Sequence, residues 1–160
     1  MIRCEFENGN IAKPGLRHVC VGVLLIDGEK ILLAKRAKHL SEGGKWCLLG
    51  GYLDRDETML EGARRELMEE SGWKAKDLMM LGINDNPDRS REDRQNIDVI
   101  YYGEADSQVG DYDAETAELK WFDLDDLPSD EEMAFDHMDS IKLYKKLQAQ
   151  PFSLPVLYNK

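Results

Sequence analysis

The 160-residue chain carries 32 acidic against 21 basic residues, a formal net charge of −11, and its length suits one domain, residues 1–160, with a proper core. So acidic a balance argues against a nucleic-acid polymer as partner, because gripping a phosphate backbone needs a basic face; a small anion can still enter through a metal ion and a few arginines. Cys4, Cys20 and Cys47 are odd in number and lack a C-x-x-C pair, the first residues form no apolar signal segment, and the longest apolar run, 19–26, is too short to cross a bilayer. These features disfavour zinc, a disulfide framework and a membrane, and favour a cytoplasmic protein.

Residues 1–16 are polar, with turn signals at Asn8-Gly9 and Pro14-Gly15, and are expected to form an N-terminal arm. Two β-rich runs, 17–26 and 30–37, flank Asp27-Gly28, the strongest short hairpin signal. A glycine-bearing loop over 38–45 leads through Trp46 and Gly50-Gly51 to a predicted helix over 58–71. Thr58 and Glu61 have the spacing of a capping box, Gly72 stands where a left-handed helix stop belongs, and Leu60, Ala63 and Leu67 make a narrow apolar stripe. Strands are predicted over 78–83 and 98–104, separated by a polar loop with Pro87 and several arginines. An acidic loop over 110–118, a strand over 119–122 and a turn over 124–128 follow, then a predicted helix over 130–148 that presents Met133, Met138, Ile141, Leu143, Tyr144 and Leu147. The C-terminal tail, 149–160, is apolar with two prolines; it packs on its own domain or on a second subunit, and a homodimer is one of the options.

The helix over 58–71 has a feature that stability alone would not select. Glu66, Glu69 and Glu70 fall at i, i+3 and i+4 and project into one region. Each like-charge pair costs roughly 0.2 to 0.5 kcal/mol, and the cluster lies near the helix C-terminus, where the macrodipole disfavours anions. A bound divalent cation reverses that sign, since hard cations take carboxylate oxygens and leave room for water and phosphate. The competing reading is a solvated face with Arg64 and Arg65 as partners, Arg65 and Glu69 being an i, i+4 pair.

The longer pattern favours the cation. Gly51, five residues, Glu57, seven residues, Arg65-Glu66-Leu67, one residue, Glu69-Glu70, one residue, Gly72 and an apolar residue stand in unbroken order. This resembles the signature of the Nudix hydrolases. The resemblance implies an α/β fold of the α/β/α sandwich type, with a mixed β-sheet between helices, and Mg2+-assisted water attack on a nucleoside diphosphate derivative, with Mn2+ as the alternative ion. Carried over by position, Gly51, Glu66, Glu69 and Glu70 would hold metal, Glu57 would support the site, and Arg65 would orient the glutamates. Glu70, or Glu115 or Glu118 of the acidic loop, would serve as general base.

Further resemblances bear on the substrate. Arg36 resembles a basic residue that the family places near the substrate phosphates, the other reading being a solvated strand end; Leu49 departs from the family's usual proline. Trp46 and Tyr52 are candidates to stack on a base, with core packing as the competing role. Pro87 and Arg89 with Arg91 and Arg94 resemble a segment of the ADP-ribose-hydrolysing branch, able to grip a second phosphate or a ribose, against a plain surface loop. Ala134 to His137 resembles that branch too, with His137 expected to be structural. The expected reaction is hydrolysis of ADP-ribose or a nucleoside diphosphate sugar to a nucleoside monophosphate and a sugar phosphate; the alternatives are a nucleotide-sanitising triphosphate pyrophosphohydrolase and a non-catalytic ADP-ribose-sensing module.

Overall fold

The structure is a computed structural model that describes residues 17–89 and 95–158. The expected arm at 1–16, and Arg91 and Arg94, lie outside the described residues.

Strand β1 (Val19–Asp27) is the spine of the sheet. It turns into β2 (Lys30–Arg36) with Asp27 still paired to Lys30, so the turn residues are Gly28 and Glu29, one position later than the Asp27-Gly28 reading. Gly28 at φ 58 supplies the positive φ that such a turn needs. Two short strands follow: β3 (Trp46–Cys47), which pairs with β2, and β4 (Leu49–Tyr52), which pairs with the first half of β1. Helix α1 (Met59–Ser71) leads to β5 (Trp73–Ala75) and β6 (Met79–Asn84), and β7 (Ile97–Gln108) then enters beside β1 in parallel. Strand β8 (Thr116–Asp123) pairs with β2, helix α2 (His137–Ala149) follows, and β9 (Val156–Tyr158) closes the edge in parallel with β6. The main path through this mixed nine-stranded sheet is β3-β2-β1-β7-β6-β9.

Period-two alternation along the central strands feeds two cores. Val21, Val23 and Leu25 of β1 and Val99 and Tyr101 of β7 pack with Ala63 and Leu67 of α1. Leu24, Ile26 and Ile100 face the other way, onto Met138, Ile141, Tyr144 and Leu147 of α2. One helix therefore covers each face, the α/β/α layering. Leu49, in the family's proline position, is fully buried on the α1 side.

Two expectations are corrected and one open alternative is resolved. The helix predicted over 130–148 begins only at His137, because Met133 bridges to Trp46 in β fashion and Phe135 sits at φ 52, neither compatible with a helical turn. Strand β8 starts at Thr116, so Glu118 is a strand residue rather than a loop residue. The tail, left open between its own domain and a second subunit, places β9 on β6 of its own domain, with Tyr158 sharing a hydrogen bond with Ser140 of α2 at 2.8 Å. No helix among the described residues is long and apolar enough to cross a membrane.

Candidate active site

Both ends of α1 are fixed as its sequence requires. Thr58 and Glu61 form a reciprocal capping box, and Gly72 ends the helix in the left-handed region at φ 67, where an added Cβ would collide with the backbone of Gly110. No basic residue occupies the last turn. That turn is laced to the acidic loop: the Val109 N–H donates to the Gly72 carbonyl at 2.8 Å, the Asp113 N–H to Glu69 at 3.0 Å, and the Thr116 hydroxyl to Glu70 at 3.1 Å. Asp113 and Glu115 are thereby brought to the cleft that the three glutamates border, which measures about 290 Å³.

Arg65 organises the carboxylates. Its guanidinium donates to both Glu57 oxygens (3.0 and 2.6 Å), to Glu66 at 2.8 Å, to Glu69 at 3.0 Å and to the Tyr52 carbonyl at 3.0 Å. These bonds hold the Arg65 proton more tightly than usual, Glu57 foremost, and the same pair keeps the Glu57 carboxyl below its ordinary range. Gly51 packs so close to Glu66 that a Cβ would lie 2.6 Å from its Oε1. Glu70 is different: it is 7% exposed and, among the described residues, its carboxylate accepts only from the Gly50 N–H, at 2.7 Å. Burial, with the nearby charges of Glu66 and Asp113, pushes its pKa up to about 8. Glu66 is raised as well, chiefly by burial and against the pull of Arg65.

Whether these residues fit a cation follows from that electrostatics. Among the described residues no three His, Cys, Asp or Glu side chains are already grouped to hold a metal ion, because Arg65 draws Glu66 and Glu69 towards itself. The donors are nonetheless all hard oxygens, and a buried carboxyl that resists ionisation by itself would be stabilised as an anion by a divalent ion beside it. The set fits such an ion.

Arg36 lines the cleft, its Nε donating to the Ser41 carbonyl at 2.7 Å and its guanidinium 5.1 Å over the Phe135 ring. Tyr52 also lines the cleft, edge-on to His18. Trp46 does not: it is 9% exposed, packed edge-on against Phe122. Glu118 pairs with Lys35 at 3.5 Å on the sheet, outside the cleft, and Pro87 is exposed on its loop. Arg89 does reach the cleft wall, but it is 6% exposed, and its charge is met by Asp98 at 2.7 Å and by two hydrogen bonds to Asp136. Burial works against Asp136 ionisation, yet the Arg89 bonds prevail and hold its carboxyl below the ordinary range. His137 accepts the Leu48 N–H on Nδ1 at 3.1 Å; desolvation of the imidazole pushes its pKa down to about 4, so it is neutral near pH 7 and its fixed proton is on Nε2.

Sequence reasoning missed Asp113, Phe135, Asn96 and Asp98 as cleft residues. Asp113 was hidden among equivalent acids of one loop. Asp98 carried a signal, the two-residue spacing to Ile100 that puts both on one sheet face, and Asn96 falls at the same spacing just before the strand.

Residues 16–144 match the NUDIX domain. An ADP-ribose pyrophosphatase from Methanocaldococcus jannaschii is 35% identical over 131 residues, covering 80% of this chain and 73% of that protein. The NAD-capped RNA hydrolase NudC of Salmonella paratyphi C is 31% identical over 110 residues, 68% of this chain but only 40% of NudC. The NUDIX domain of Shewanella oneidensis NrtR, solved with ADP ribose, superposes with a TM-score of 0.69 at 26% identity, covering 83% of this chain and 89% of that one.

Proposed function

The chain belongs to the Nudix family of hydrolases, and from that premise we propose that it hydrolyses the pyrophosphate bond of ADP-ribose or a related nucleoside diphosphate sugar, releasing a nucleoside monophosphate and a sugar phosphate. The observation that carries the reaction class is the buried Glu70, flanked by Glu66 and Asp113 at the wall of a cleft. The relative named as an ADP-ribose pyrophosphatase and the neighbour bound to ADP ribose support the substrate.

Glu66, Glu69, Glu70 and the Gly51 backbone would hold Mg2+, with Glu57 keeping Arg65 in place behind them. When bound, the cation supplies charge neutralisation for the pyrophosphate, polarisation of the phosphoryl group and a lowered pKa for the attacking water. The protein's own groups do the rest. Glu115, or its loop neighbour Asp113, accepts the water proton at a carboxylate oxygen, the loop being pinned to α1 by the Asp113 N–H bond to Glu69. Arg36, held by Ser41 and Phe135, meets the substrate phosphates.

Parallel turnover of ADP-ribose and a panel of nucleoside triphosphates with Mg2+ tests this reading. ADP-ribose is expected to lead by tenfold or more in kcat/KM, and a triphosphate preference would replace the substrate assigned here. Hydrolysis in 18O-labelled water then shows which phosphorus receives the oxygen.

A further inference from the structure

We propose that the part of the cleft wall formed by Asn96 and Asp98 is a hydrogen-bond-acceptor subsite for an uncharged donor-bearing group at one end of the substrate. The pleat puts Asp98 and Ile100 of β7 on one face, beside Cys20 and Gly22 of β1, and Asn96 stands just before the strand; all five border the cleft. Asn96 is 7% exposed, and its Oδ1 is buried with no hydrogen-bond partner among the described residues. Buried carbonyl oxygens are nearly always paired, so an orphan in a cleft wall points to a donor that arrives with a ligand.

Charge decides what kind of donor. Arg89 lies in this part of the wall, and Asp98 and Asp136 both pair with it, which leaves these three side chains one negative charge in excess. Four directed contacts occupy Arg89: two to Asp136, one to Asp98 and one to the Asn96 carbonyl at 3.1 Å. Among the described residues, a phosphate would meet the Asp98 and Asp136 carboxylates there, with the Arg89 guanidinium already engaged by them. A neutral group with N–H or O–H donors would meet acceptors. In a nucleoside diphosphate sugar two groups share that chemistry: the exocyclic amine of the base and the hydroxyls of a ribose. The subsite therefore deepens the hydrolase reading, on which its choice of substrate rests, and it removes Arg89 from the role of phosphate clamp.

The test pairs Asn96→Leu with substrate analogues. Removing an acceptor that has no internal partner should leave the melting temperature equal or higher, while KM for ADP-ribose rises about tenfold, the loss falling on KM rather than kcat. Asn96→Asp, which keeps an acceptor oxygen, should recover most of that loss. On the wild-type protein, the inosine analogue of ADP-ribose (amine replaced by oxygen) and analogues lacking a ribose hydroxyl are compared; the one that loses about tenfold identifies the donor, and Asn96→Leu should then show no preference for the parent compound. Unchanged KM in Asn96→Leu, or wild-type indifference to every analogue, overturns the subsite. Binding of ADP-ribose in EDTA, read by calorimetry, separates the two readings: if turnover is absent but Asn96→Leu still weakens binding, the subsite stands and the hydrolase assignment falls, whereas equal binding removes the subsite.

Discussion

Glu70 links stability to pH in a direction opposite to most carboxylates. Its folded pKa, about 8, lies above the value near 4.5 of a free glutamate, so the folded protein holds the proton more tightly than the unfolded chain does. Its contribution is fully present below about pH 4.5 and is lost as pH rises towards 8; Asp136 and Glu57, held below their ordinary range, lose theirs only at more acid pH. Metal-free protein should therefore melt at lower temperature at pH 8 than at pH 5.5, by a free energy on the order of 2 to 4 kcal/mol. Glu70→Gln should remove most of that slope while cutting turnover at least a hundredfold. Calorimetric scans in EDTA across this window check the first outcome, and a wild-type slope that survives in the variant contradicts the assignment. Gly51→Ala acts at the same place by another route: its Cβ displaces the Glu66 carboxylate, so kcat should fall more than tenfold with the melting temperature nearly constant.

At the scale of elements, α1 is held by its ends. Thr58→Ala removes half of the capping box and should cost about 1 kcal/mol. Gly72→Ala should cost more, roughly 2 kcal/mol or above, because a left-handed φ and a collision with Gly110 add together. Urea denaturation of the two variants gives the order directly, and a Thr58→Ala loss exceeding that of Gly72→Ala would be the wrong one. This helix was legible in the sequence because its signals are local: a hydroxyl, a carboxylate three residues on, a glycine at the stop. The segment before α2 was not legible for the converse reason. Its apolar residues suit a helix, but the Glu132 carbonyl and the Ala134 N–H on either side of Met133 are claimed by Trp46, far away in sequence, and Asp136 points its carboxylate at Arg89 and Asn84 instead of capping α2. The candidate site divides in the same way. Glu66, Glu69 and Glu70 cluster through helical spacing alone, whereas the burial of Arg89 between Asp98 and Asp136 depends on three elements meeting.

For the whole molecule, the C-terminal strand completes the sheet. Deleting residues 150–160 uncovers the β6 edge and removes the Tyr158–Ser140 hydrogen bond, so the truncated chain should lose several kcal/mol and self-associate as concentration rises. Light scattering beside a denaturant titration measures both; a monomeric, equally stable truncation would show that β9 is ornamental. The sequence left open whether the tail met its own domain or another, since three apolar residues suit either. The β1–β7 ladder has a consequence in time rather than in space. Val19 lies opposite Ile97 and the pairing runs in parallel to Ile26 and Glu104, so the central seam joins strands separated by roughly half of the chain. A nascent chain leaving the ribosome can make its first hairpin and α1 early, but must wait for β7 to emerge before the middle of the sheet exists. Refolding should accordingly proceed in milliseconds to seconds, as expected of distant pairings, rather than in the microseconds of a helical bundle.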